Sequence, residues 1–188
     1  MSPIYIECLG IVFLIFLVGF FSASEVAVLS TRKSRIKELA EQGSRNAGIV
    51  LDFQTNPEQF LATIHVGIVF SLILASGLGG VMGVQHLQPA LQESETNWVR
   101  EGSAWLALGI IVITIGSLVV IFGELVPKSL ALRFSESVAL HFARPIRLFS
   151  TAFRIPVKLL MFSSNLFLSA FKDKTSFSES RISQENSS

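Results

Sequence analysis

Residues Ile110 to Leu130 read IIVITIGSLVVIFGELVPKSL, a helix-length apolar run that closes on Gly123-Glu124-Leu125-Val126-Pro127-Lys128. A carboxylate at this depth of a membrane segment costs about 2.5–3.5 kcal/mol on insertion scales, so Glu124 facing lipid without a partner is disfavoured. Pro127 has no N–H. In an α-helix it leaves the carbonyl of Gly123, four residues back, without a donor, and its ring pushes that carbonyl aside. The stretch therefore predicts a bilayer helix in which a freed backbone oxygen sits beside a carboxylate. Both are hard donors, of the kind that alkali and alkaline-earth cations accept. The competing reading is a plain helix end, with a snorkelling glutamate and a lysine that stops transfer.

Outward from this stretch the whole chain is apolar. Half of its 188 residues are hydrophobic and its mean hydropathy is +0.57, too high for an ordinary soluble domain, so the expected class is an all-α membrane protein. The net charge of +1 gives no reason to expect a nucleic-acid partner, and its distribution is more informative. Of 15 Lys and Arg, five lie between Arg32 and Arg45, nine from Lys128 onward, and only Arg100 in between. With three spans, the positive-inside rule predicts a multi-pass protein of the plasma membrane, N-terminus outside and C-terminus cytoplasmic. Cys8 is the single cysteine, so no intramolecular disulfide and no Cys-based metal site is expected. The N-terminal apolar run lacks a basic leader and its charges follow it, which predicts a retained anchor, not a cleaved signal.

The expected spans are Ile4 to Ser30, Phe60 to about Val84 and Ser103 to about Val126. They make up a transmembrane domain over residues 1–140. Ser34 to Asn56 predicts a short cytoplasmic helix ending near Gly43 or Gly48, and Asn56-Pro57 a turn. In the second span Gly67, Ser71, Ala75 and Gly79 recur every fourth residue, a small-residue stripe that lets backbones approach closely. Its further glycines predict a short, tilted or broken helix, followed by an external loop over Gln85 to Gly102. In the third span Gly109, Gly116 and Gly123 share one face, with Ser117 and Glu124 alongside.

Over 141–173, Arg144, Arg147, Arg154 and Lys158 fall within an arc of about 80° opposite Ile and Phe, which predicts a juxtamembrane amphipathic belt bent at Pro145 and Pro156. Leu159 to Phe171 is too short for a fourth span, and crossing would export Lys172, Lys174 and Arg181. Residues 174–188 read as a polar linker toward a further cytoplasmic module.

Two carboxylates, Glu25 and Glu124, lie toward the basic ends of spans, each beside small hydroxyl residues. Ser22, Ser24 and Glu25 fall within Phe20-Phe21-Ser22-Ala23-Ser24-Glu25. With Ser71 or Ser76 from the second span and the Gly123 carbonyl, three helices supply hydroxyl, carbonyl and carboxylate oxygens, a set suited to Mg2+ or Na+ and not to Zn2+. His65 reads as a packing histidine, and no nucleophile and base pair is visible, so no enzyme is expected.

The stretches Phe-Phe-Ser-Ala-Ser-Glu-Val-Ala at 20–27, Phe-Leu-Ala-Thr-Ile-His-Val-Gly-Ile at 60–68 and Gly-Glu-Leu-Val-Pro-Lys-Ser-Leu-Ala at 123–131 resemble the transmembrane domain of the CNNM/CorB/CorC family. The resemblance implies a homodimer with three spans per subunit, a juxtamembrane belt and a cytoplasmic CBS-pair module. It also implies Mg2+ export coupled to Na+ entry. By motif position it points to Ser24, Glu124 and the Gly123 carbonyl as ligands, with Ser71 and Ser76 as second-span donors and Glu25 as a second charge. The alternative expectation is a membrane anchor and dimer scaffold for a cytoplasmic sensing domain.

Overall fold

The computed structural model describes residues 3–170, so the linker expected at 174–188 lies outside the described residues. In chain order the helices are α1 (Pro3–Ser30), α2 (Lys33–Glu41), α3 (Arg45–Thr55), α4 (Pro57–Met82), α5 (Gln88–Gln92), α6 (Asn97–Glu101), α7 (Ser103–Leu118), α8 (Val126–Arg133), α9 (Ser135–Ala152) and α10 (Arg154–Ala170). Two π segments, Gly83–Leu87 and Val119–Leu125, join α4 to α5 and α7 to α8. Among the described residues there is no strand, and three helical runs are long and apolar enough to cross a membrane: Ile4–Ser30, Pro57–Gln92 and Ser103–Arg133.

The second span is longer and more regular than its glycines predict. Its 36 residues rise about 54 Å, well beyond the roughly 30 Å of a hydrocarbon core. The helix continues through Gln85 to Gln92, which leaves only residues 93–96 as loop before α6. Gly67 and Gly79 serve packing, whereas Gly77 and Gly80 face open space. A Cβ on Gly67 would fall 2.5 Å from the Phe21 ring, and one on Gly79 would collide with Cδ1 of Ile115. In lipid every backbone group must be satisfied within the segment, so helix persists where water would permit fraying. All four members of the small-residue stripe are buried. The glycine face of the third span behaves differently: a Cβ on Gly109 or Gly116 meets nothing within 4 Å, and only Gly123 is closely packed.

Two registers define the bundle. Phe21 meets Gly67 and Gly10 meets Leu78, so α1 and α4 run antiparallel. Gly19 meets Gly123, and further on Ala131 joins Ala23 and Ala27 in one buried cluster, so α1 runs parallel to the third span.

At the basic end the single expected helix is two. Gly43 (φ +92°) makes the turn between α2 and α3, a conformation glycine adopts without a Cβ clash, and the Ser44 hydroxyl caps α3 by accepting from the Ala47 amide at 3.3 Å. The belt starts at Ser135, not at 141, and its first half is not a free interfacial helix. Ala139, Ala143 and Ile146 of α9 are buried, and the rings of Phe142 and Phe149 lie tilted against those of Phe20 and Phe21, each with centroids 4.7 Å apart. Its basic arc is used against α3, where Arg144 donates to Asn46 at 2.8 Å and Arg147 pairs with Asp52. Pro145 stays inside a continuous helix; the bend falls at Phe153, where α10 restarts with Pro156 in its first turn. In the second half of the belt, α10 presents an open apolar face, with Ile155, Leu159 and Phe162 exposed.

Candidate functional site

Pro127 shapes the third span before it. An α-helix would place its ring against the Gly123 carbonyl, and the chain answers by widening into the π segment Val119–Leu125. The Val126 amide there donates to Ile121, five residues back. That shift has a cost one residue earlier than the sequence suggests. Phe122 loses its α donor because Val126 is engaged elsewhere, and the next amide in line belongs to proline. The Phe122 carbonyl is thus left without a helical donor, beside the Gly123 carbonyl whose α donor Pro127 also removes.

These carbonyls lie at a close crossing of α1 and the third span. A Cβ on Gly19 would fall 3.0 Å from the Phe122 oxygen, and one on Gly123 would fall 3.0 Å from Cγ1 of Val18. Glycine on both helices is what permits this approach.

Ser22 lies one turn beyond Val18 and about 40° around the helix, on the face that meets Gly123. It is fully buried, and its hydroxyl has no hydrogen-bond partner. An unmet buried hydroxyl costs about 1–3 kcal/mol, and Ser22 lacks the back-bond that Ser24 and Ser71 make. Ser24, the residue favoured from the motif, is also fully buried but points elsewhere. It lies about 140° around from Gly19 on the side of Phe20, and it donates to the Phe20 carbonyl at 2.6 Å.

The second-span residues separate by level. The antiparallel register sets Ser71 level with Leu17 and away from Ser24, which is level with Ile64. Ser71 is buried and donates to the Gly67 carbonyl at 2.7 Å. Ser76 is exposed at the edge of an apolar cavity of 190 Å³ between α4 and α7, lined also by Leu72, Gly80, Leu108 and Gly116. His65 is exposed, with Nδ1 3.1 Å from the Leu61 carbonyl. The hydroxyl that does share the level of Glu25 is Thr63, buried and donating to Gln59 at 2.8 Å. Its signal in the sequence is its position four residues before Gly67, which continues the small stripe by one turn.

Glu124 is 43% exposed, with Oε2 3.5 Å from Nζ of Lys128. This is the plain helix-end arrangement, not a carboxylate turned into the crossing. The pairing is weak. It rests on one part-buried 3.5 Å contact at the outer limit of a hydrogen bond, so the carboxylate is only loosely held. Glu25 is half-buried on the same side of α1. Among the described residues no three His, Cys, Asp or Glu side chains cluster, so a cation here would rest chiefly on hydroxyl and carbonyl oxygens. That donor set suits a hard ion.

The chain matches the family described as the cyclin M transmembrane N-terminal domain (CNNM) over residues 9–186. It is similar to the UPF0053 protein sll0260 of Synechocystis, 35% identical over 90% of this chain and 38% of that protein. It is also similar to the UPF0053 protein YhdP of Bacillus subtilis, 32% identical over 84% of this chain and 35% of the relative. The polyamine export protein of Salmonella typhimurium is 31% identical over 82% of this chain and 34% of its own length. The chain thus spans little more than a third of the relatives it matches. The three apolar spans and the match over most of the chain agree: this is an integral membrane protein, and it belongs to the CNNM transmembrane domain family.

Proposed function

We propose that this domain moves Mg2+ out across the plasma membrane in exchange for Na+, through a site at the Gly19–Gly123 crossing. Family membership supports membrane transport of an ion or solute, and one group of relatives is named for export. The observation that carries the finer reading is the buried, unbonded hydroxyl of Ser22 on the helix face that meets carbonyls freed by Pro127. Mg2+ asks for six oxygens at about 2.0–2.1 Å and gives up water reluctantly, so hydroxyl, carbonyl and carboxylate donors must replace much of its shell. In this reading Ser22 and the Gly123 carbonyl supply neutral donors, Glu124 swings from Lys128 to supply charge, and Glu25 supplies a second charge or receives Na+. Ser24 and Ser71 keep lone pairs free and support the cluster from neighbouring levels. The π segment and Pro127 form the hinge, and two copies make the transporting unit.

A polyamine is also a cation, and the export proteins among the relatives carry that name. The compact crossing, with one unbonded hydroxyl beside backbone carbonyls, favours a small ion over a chain of ammonium groups. Proteoliposomes holding the purified chain, assayed for Mg2+ and for spermidine movement with and without a Na+ gradient, test the reading. Mg2+ flux that depends on Na+ supports it; spermidine flux alone refutes the cargo. The pairing of Glu124 with Lys128 favours one other reading, an anchor and dimer scaffold for a cytoplasmic module. Absence of any flux supports that one.

A further inference from the structure

The end of the bundle away from the basic helices holds a polar pair that the cation reading does not use. Glu7 of α1 and His86 of the first π segment approach to 3.3 Å between Oε2 and Nε2. Both atoms are shut off from solvent, and neither makes an aligned hydrogen bond, to the other or to any described group. The Glu7 side chain is 15% exposed and that of His86 31%, so water reaches the imidazole more readily than the carboxylate.

The π segment places the histidine there. A π turn inserts one residue and rotates the downstream helix by about 100° relative to an uninterrupted α-helix. The segment is held against α7, where a Cβ on Gly83 would fall 3.2 Å from Cγ1 of Ile111. No other ionisable group among the described residues enters the pair. On α1 Tyr5 and Cys8 flank Glu7 and are exposed; α5 and α7 carry no charged residue; Glu58 and His65 of α4 lie toward the other end; and Glu93, Glu95, Arg100 and Glu101 beyond α5 are exposed.

We propose that Glu7 and His86 are a proton-binding site that clasps the first span to the second. With one proton between Nε2 and Oε2 the pair is net neutral and closed. Without it the carboxylate stands uncompensated beside a neutral ring, and the two spans part at this end. The proton comes from and returns to water through the partly exposed imidazole, so opening of this face is coupled to proton release. The clasp works in the same way whatever the cargo.

Spin labels on Tyr5→Cys and Val84→Cys, both exposed positions, in a Cys8→Ser background report the gap in lipid nanodiscs. The expected result is one short distance at about pH 5 and an added longer population at about pH 8. In Glu7→Gln and in His86→Gln the distribution should no longer depend on pH. An unchanged wild-type distribution across that range, or a pH response that survives in either variant, would overturn the proposal. A double-mutant cycle on unfolding temperature gives a second readout: coupling between the two sites at about pH 5 that is lost at about pH 8. No coupling at the lower pH also overturns it.

Discussion

Gly19 of α1 lies against the carbonyl of Phe122, so closely that a Cβ at position 19 would fall 3.0 Å from that oxygen and 3.0 Å from Cγ of Pro127. The bulk to be accommodated is backbone and a proline ring, neither of which can swing away. Gly19→Ala should therefore destabilise the domain by about 1–3 kcal/mol, the usual range for overpacking. Gly48, inside α3 with open space around its Cβ, provides the opposite sign: Gly48→Ala should stabilise by about 0.5–1 kcal/mol. Thermal unfolding of both variants in one detergent checks the pair.

Ser22 and Ser24 should separate cleanly. Ser22→Ala removes a buried hydroxyl that has no partner, so basal stability should hold or rise by about 1 kcal/mol, while stabilisation by added Mg2+ disappears. Ser24→Ala removes a hydroxyl bonded to Phe20 and should lower basal stability by about 1 kcal/mol while most of the Mg2+ response remains. Unfolding temperatures measured over a Mg2+ series decide it. Equal loss of response in both variants would remove the distinction.

Pro127→Ala restores an amide to the register. The π segment should relax toward α-helix, basal stability should rise, and the Mg2+ response should fall because the Gly123 carbonyl regains its donor. Amide exchange across residues 119–128, read together with the Mg2+ series, reports both effects.

Lys128 holds Glu124 by a pair worth about 0.3–0.5 kcal/mol, so freeing the carboxylate should matter little. Lys128→Met should tighten apparent Mg2+ affinity by about twofold, the fold-change that this energy converts to. A change of a hundredfold in either direction would mean that the lysine has a larger part than holding one carboxylate.

Much of the architecture is legible in the chain because bilayer helices announce themselves by length and apolarity. Three spans, a polar basic end and the small-residue stripe come from that alone. What the chain hides is register. The π segments at Gly83–Leu87 and Val119–Leu125 look like ordinary helix in sequence, yet each changes its surroundings: one aims His86 toward Glu7, and the other adds the Phe122 carbonyl to the Gly123 carbonyl as a group without its α donor. Glycines in the second span suggest breakage because their cost in water is familiar, whereas here Phe21 and Ile115 fill the space that Gly67 and Gly79 leave. In the same way the motif points to Ser24 and passes over Ser22, but the helical angle relative to Gly19 puts the Ser22 hydroxyl toward the crossing and the Ser24 hydroxyl toward Phe20. The amphipathic arc of α9 suggests lipid, yet Asp52 and Asn46 of α3 claim its arginines.

The most direct measurement is Mg2+ efflux from proteoliposomes holding the wild-type chain or Glu124→Gln, which keeps size and hydrogen bonding and removes one charge. Wild-type efflux driven by an inward Na+ gradient, with a loss of at least a hundredfold in Glu124→Gln at unchanged folding, is the expected result: removal of a direct carboxylate ligand forfeits about 3 kcal/mol or more, and each 1.4 kcal/mol is tenfold. Equal efflux from both would show that this carboxylate, left on Lys128, takes no part in moving the ion.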